Sequence, residues 1–278
     1  MSLFKDLPKR VLTALLGFIL ILALLIYGDL WGLKIVVGVI TLGMTLELTQ
    51  IIYSLPDRKA KRRLTVISAA LYLILTGLSL PFFAVCLSGL FVFISSFYLF
   101  WARKYIGPLL MTHTQELMNT IFGLFYVTFL PSLFNLIRIL PDGLHWVFLF
   151  LFIIWGGDTG AYFVGVKCGR HKIYPHISPK KSVEGALGGL IIGILIALVY
   201  RQYFNMPVST KNIIALAIVI GTVAQIGDFF ESMFKRAFDK KDSGSLLPGH
   251  GGFLDRFDGV VFALPVMYAY LVVIFPRL

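Results

Sequence analysis

Charge is scarce in this sequence. Only 14% of its 278 residues are Asp, Glu, Lys or Arg, while 58% are hydrophobic and the mean hydropathy is +0.86. Too few charges are present to cover a globular surface of this size, which excludes a soluble single domain. Cysteine is scarce as well. Cys86 lies in an apolar run and Cys168 in a basic loop, so a disulfide framework is excluded and both read as free thiols. No small-residue cleavage site follows the first apolar run, so Lys5, Lys9, Arg10 and the run 11–27 read as a retained first helix rather than a signal peptide. The period-two alternation of a membrane barrel is missing too, and internal repeats are not evident.

What the chain has instead is a succession of apolar runs, each near the roughly 20 residues needed to cross a bilayer. Buried in lipid, a backbone must satisfy its own polar groups, so these runs read as helices. The fold class expected is an all-α polytopic membrane protein with about nine transmembrane helices, near 11–27, 31–53, 64–79, 81–101, 115–139, 144–163, 183–200, 211–234 and 258–276. One integral membrane domain over 1–278 is expected. Within it, 1–140 serves packing, lipid contact or a dimer face, and 141–278 carries the chemistry around a cytoplasmic loop at 235–257. Twenty of the 25 Lys and Arg fall in the N-terminal segment and alternate loops. By the positive-inside rule that puts the N-terminus in and the C-terminus out. The net charge of +11 therefore implies no nucleic-acid partner; topology, anionic membrane lipids and a polyanionic substrate account for it. The basic run 58–63 reads as an inside-facing signal or a lipid-headgroup contact, and Gly185, Gly189 and Gly193, four apart, as a close helix-packing stripe.

Acidic residues are the scarcest charge, and they are clustered. Six of the 14 (Asp228, Glu231, Asp239, Asp242, Asp255 and Asp258) fall within 228–258. Gln225, Asp228, Ser232 and Lys235 share one helical face, with Glu231 beside them and at pairing distance from Lys235. Beyond them a loop rich in Lys, Asp, Ser and Gly leads to Pro248, Gly249, His250, Gly251 and Gly252, then to Asp255 and Asp258. Glycines let backbone approach phosphate, cations supply counter-charge, and crowded carboxylates call for a hard cation. This pattern points to a Mg²⁺ and polyphosphate site. Two further stretches fall on the same side: Trp155 to Tyr162, with Asp158 at a glycine-broken helix end, and Ser178 to Gly185, with Lys180, Lys181 and Glu184. Glu47 is a lone intramembrane carboxylate, either a structural group or a pocket residue.

The run Ser232-x-Phe234-Lys235-Arg236-x4-Lys241-Asp242-x-Gly244-x2-Leu247-Pro248-x-His250-Gly251-Gly252-Phe253-x-Asp255-Arg256-Phe257-Asp258 resembles the signature of the phosphatidate cytidylyltransferases, or CDP-diacylglycerol synthases. The stretches around Asp158 and Lys180 also look like that family, whereas the N-terminal half matches only in being apolar and multi-spanning. The resemblance implies that CTP and phosphatidic acid give CDP-diacylglycerol and pyrophosphate with Mg²⁺, and with a second cation as an option. It implies an integral protein of a bacterial cytoplasmic membrane with its site facing the cytoplasm, and a homodimer as a family-level expectation. Asp228, Asp255 and Asp258 are then the metal-binding and catalytic carboxylates, joined by Lys235 and Arg236. Ser232, Lys241, Asp242, His250, Gly251, Gly252, Arg256, Lys180, Lys181, Asp158 and Glu184 are the substrate-binding set. Two other activities compete: a CTP-dependent polyprenol or lipid kinase, which would move the γ-phosphate, and a transporter of a phosphorylated solute, which predicts broken helices at the midplane.

Overall fold

The computed structural model describes residues 17, 19–53, 58–247 and 251–274. After a helical stretch at 19–27 come α1 (Asp29–Ile52), α2 (Arg58–Leu75), α3 (Leu80–Ala102), α4 (Pro108–Leu124), a π-helical turn (Phe125–Phe129) and α5 (Leu130–Arg138). These are followed by α6 (Gly143–Cys168), α7 (Val183–Tyr203), α8 (Thr210–Ala237) and α9 (Leu254–Ile274). The protein is an all-α polytopic membrane protein: among the described residues, seven helical runs are long and apolar enough to cross a membrane. They are α1, α3, the continuous run Pro108–Arg138, α6, α7, α8 and α9. Of the span expected at 11–27, residues 19–27 are helical, while 11–16 and 18 lie outside the described residues. That at 64–79 is α2, whose first turns are too basic for it to qualify beside the others.

Local chemistry sets several helix starts. Pro81 and Pro108 sit in the first turns of α3 and α4, where a missing N–H costs nothing. The Ser182 hydroxyl accepts from the Gly185 N–H, and that of Ser209 from the Asn212 N–H, capping α7 and α8.

Residues 1–136 and 137–278 form two compact units. In the first, buried hydroxyls tie the helices together: Thr45 Oγ1 lies 2.8 Å from Ser68 Oγ, which lies 2.6 Å from Thr128 Oγ1 in the π-helical turn. Such bonds hold helices that gain no hydrophobic drive from lipid. Glu47 is fully buried in this unit.

In the second unit, α6 packs along α7, α7 along α8, and α8 along α9. Glycine makes the first of these contacts close. A Cβ at Gly189 would stand 2.8 Å from the Gly157 carbonyl oxygen, and one at Gly185 would stand 3.2 Å from the Gly165 Cα. Gly189→Val therefore has to push α6 and α7 apart. It is expected to cost about 1–3 kcal/mol, read as a lower thermal unfolding midpoint in detergent. The same packing corrects one expectation. Asp158 does not sit at a broken helix end, because α6 continues unbroken to Cys168 and its glycines serve contact with α7. The expected loop 235–257 is likewise shorter: α8 runs to Ala237 and α9 begins at Leu254, so Lys235, Arg236, Asp255 and Arg256 are helical residues.

Candidate active site

Three carboxylates in the second unit each have a glycine as chain neighbour, and each of those glycines lies at a helix crossing. Gly157 precedes Asp158, Gly227 precedes Asp228 and Gly259 follows Asp258. A Cβ at Gly227 would meet the Asp258 carbonyl oxygen at 2.9 Å, and one at Gly259 would meet the Ala224 carbonyl oxygen at 2.8 Å. The helices α8 and α9 thus touch nearly backbone to backbone where they present Asp228 and Asp258. Asp228 is within electrostatic reach of both Asp158 and Asp258, and Glu231 is within reach of Asp258.

The cation among them comes from the segment between α6 and α7. Lys181 forms an ion pair with Asp228, and its ammonium lies 4.6 Å over the Phe229 ring. That segment is held in place at several points. The Glu184 carboxylate accepts from the Arg170 N–H at 3.1 Å and the His171 N–H at 3.2 Å, and stands 2.5 Å from His171 Nδ1. Arg236 donates to the Ile177 carbonyl at 3.5 Å and to the Lys240 carbonyl at 3.2 Å. Glu184, expected in the substrate-binding set, here clamps the segment that delivers Lys181. Glu184→Ala is expected to lower kcat/KM about 10- to 100-fold by misplacing Lys181, measured beside an unfolding curve that stays near wild type.

A second cluster adjoins the first. Lys235 is buried and lies 2.6 Å from both Glu231 Oε2 and Asp255 Oδ1. Asp255 also accepts from the Ser243 N–H at 3.2 Å and the Gly252 N–H at 3.3 Å. One carboxylate thus fastens the α8–α9 connection to the start of α9. Gly251 carries φ +82, open to glycine, and its carbonyl accepts from the Leu247 N–H at 2.9 Å. Glu231 Oε1 is buried without a hydrogen-bond partner among the described residues.

The structure therefore brings together Asp158, Asp228, Asp258 and Lys181, and beside them Lys235 and Asp255 with Gly252. Ser232 is half-buried on α8, and Lys180, Lys241, Asp242 and Arg256 are exposed. His250 lies outside the described residues. Glu231 is the residue that the candidate set lacks, although its spacing from Lys235 signals the pair. Among the described residues, no group of three His, Cys, Asp or Glu stands close enough to hold a metal ion. Magnesium, however, is commonly held by one or two carboxylates, with phosphate and water completing its shell. The all-oxygen pair Asp228 and Asp258 fits that pattern, whereas Asp255 is already taken up by Lys235 and two backbone donors.

A family model described as the Cytidylyltransferase family matches residues 8–274. Among curated relatives, the "Phosphatidate cytidylyltransferase" of Bacillus subtilis (strain 168) is 42% identical over 126 residues, 45% of this chain and 47% of that protein. Proteins of the same name from Staphylococcus saprophyticus and Staphylococcus haemolyticus are 43% and 42% identical over 131 residues, 47% of this chain and 50% of each relative. The matched stretch spans about half the length of these relatives.

Proposed function

This chain belongs to the cytidylyltransferase family, and from that premise we propose that it transfers the cytidylyl group of CTP to phosphatidic acid, giving CDP-diacylglycerol and pyrophosphate. The observation that carries this reading is the convergence of Asp158, Asp228 and Asp258 on Lys181, with Lys235 and Asp255 alongside.

The chemistry asks little of a general base. A phosphomonoester has a second pKa of about 6, so phosphatidate presents an anionic oxygen at neutral pH. That oxygen attacks the α-phosphorus of CTP, a new P–O bond forms, and the bond from the α-phosphorus to the bridging oxygen breaks. The electron pair leaves with pyrophosphate. What the protein must do is align the two substrates and offset the charge of the leaving group.

Five carboxylates and two lysines make up the clusters, an excess of negative charge that would repel a triphosphate unless cations intervene. Asp228 and Asp258 would hold Mg²⁺. When bound, the ion screens the phosphates and polarises the α-phosphorus. Lys181, whose ammonium pairs with Asp228, would offer that charge to a substrate phosphate. Arg236, Lys241 and Arg256, with the backbone at Gly251, supply further phosphate contacts. Asp255 and Glu231 hold Lys235 and so fix the spacing of α8 and α9. Basic segments flanking this site, read by the positive-inside rule, favour its opening to the cytoplasm, where nucleotide and lipid phosphate meet.

Purified protein in vesicles, given CTP, phosphatidate and Mg²⁺, is expected to release pyrophosphate only when both substrates are present, in step with phosphatidate consumed. Release of CDP instead would contradict cytidylyl transfer and indicate a kinase.

A further inference from the structure

The first unit contains a cavity that the transfer reaction leaves unused, beside the most basic segment of the chain. Residues 54–63 carry five basic side chains and one acidic, Asp57. Lys59, Arg62 and Arg63 are exposed on α2, and Glu116 of α4 meets Arg63 at 3.4 Å. A cavity of about 200 Å³ opens beside Arg63, lined mainly by α2 and α3.

Its two ends differ in character, and the helix register shows how. At one end stand Arg63, Tyr98 and Thr120, the two hydroxyls 3.2 Å apart. One turn away on each helix, Ile67 follows Arg63 and Ile94 precedes Tyr98, with Phe93 next to it. The lining therefore passes from cationic and hydroxylic to wholly apolar within a turn. A second cavity of about 390 Å³ shares Ile94 and continues along α3 to Leu87, against Ile121 and Phe125. From Phe97 to Leu87 the helix rises about 15 Å at 1.5 Å per residue. Half of the roughly 30 Å hydrocarbon core is the same length.

We propose that this lane binds one anionic glycerophospholipid of the bilayer. Its phosphate is held by Arg63 and the adjoining basic side chains, and one acyl chain lies against Ile67, Ile94 and Phe93 through the depth of a single leaflet. Length alone would admit any diacyl lipid; the charge at the polar end selects an anionic one. The proposal is independent of the transfer reaction, because none of these residues belongs to the clusters in the second unit.

Native mass spectrometry of the full chain, taken from detergent supplemented with equal phosphatidylglycerol and phosphatidylcholine, tests it. Wild type is expected to retain phosphatidylglycerol in preference. Arg63→Gln, at an exposed position that does not threaten folding, is expected to lower that preference about fivefold, the equivalent of one cation near a lipid surface. Ile94→Trp, which fills the lane, is expected to reduce retention of both lipids. Equal retention of the two lipids by wild type would overturn the proposal. So would an Arg63→Gln protein with undiminished preference, whether or not the Ile94→Trp protein folds. Phosphatidylglycerol is used because phosphatidate would also be retained at the transfer site.

Discussion

Replacing Asp228 by Asn is expected to lower the turnover of CTP and phosphatidate by about 100-fold or more, the scale of losing a principal electrostatic group from a reaction site. The protein should still insert and fold. Asp228 is half-exposed and its direct partner is Lys181, so Asn leaves no buried charge stranded. Asp258→Asn should behave alike, because the same α8–α9 contact at Gly227 and Gly259 presents both carboxylates. The two losses should not multiply in the double variant, since residues that act as one unit are strongly non-additive. Initial rates at saturating substrate, with unfolding curves on the same preparations, check this. Near-normal rates in both single variants would remove these carboxylates from the mechanism.

The second large effect falls on stability. Lys235→Met removes the one ammonium that stands 2.6 Å from both Glu231 and Asp255, and it leaves Glu231, already fully buried, as an unpaired carboxylate. Breaking a buried ion pair from one side typically costs about 3–5 kcal/mol. The variant is expected to unfold at a clearly lower temperature and to lose activity with its fold. Adding Glu231→Leu to Lys235→Met should restore part of that stability, because the stranded charge goes with it. If Lys235→Met unfolds like wild type yet loses turnover, Lys235 acts on substrate phosphate rather than as the tie between α8 and α9.

Much of the helical scaffold is legible in the residues, because lipid leaves a backbone little choice but to hydrogen-bond within its own segment. Boundaries are less so. Asp255 and Arg256 read as loop residues because the segment before them is polar and glycine-rich, yet Asp255 takes its place in the first turn of α9 by accepting the Gly252 N–H. Asp158 suggests a helix end because glycine surrounds it, whereas those glycines fit α6 against the stripe on α7. The pairing of Lys181 with Asp228 is written in no local pattern, since it depends on how Glu184 and Arg236 hold the segment between α6 and α7. One signal was nonetheless available. Glycine stands beside aspartate at five places. Gly28 with Asp29 and Asp142 with Gly143 start helices, whereas Gly157 with Asp158, Gly227 with Asp228 and Asp258 with Gly259 lie within them, where helices come close enough to bring carboxylates together.

The most direct test of cytidylyl transfer is to follow label from CTP into lipid on purified protein with phosphatidate and Mg²⁺. Label at the α-phosphate is expected to enter the lipid fraction of wild type, with almost none entering in the Asp228→Asn protein, while γ-label remains in water as pyrophosphate. Entry of γ-label into lipid, with α-label left behind as a nucleotide, would contradict the account.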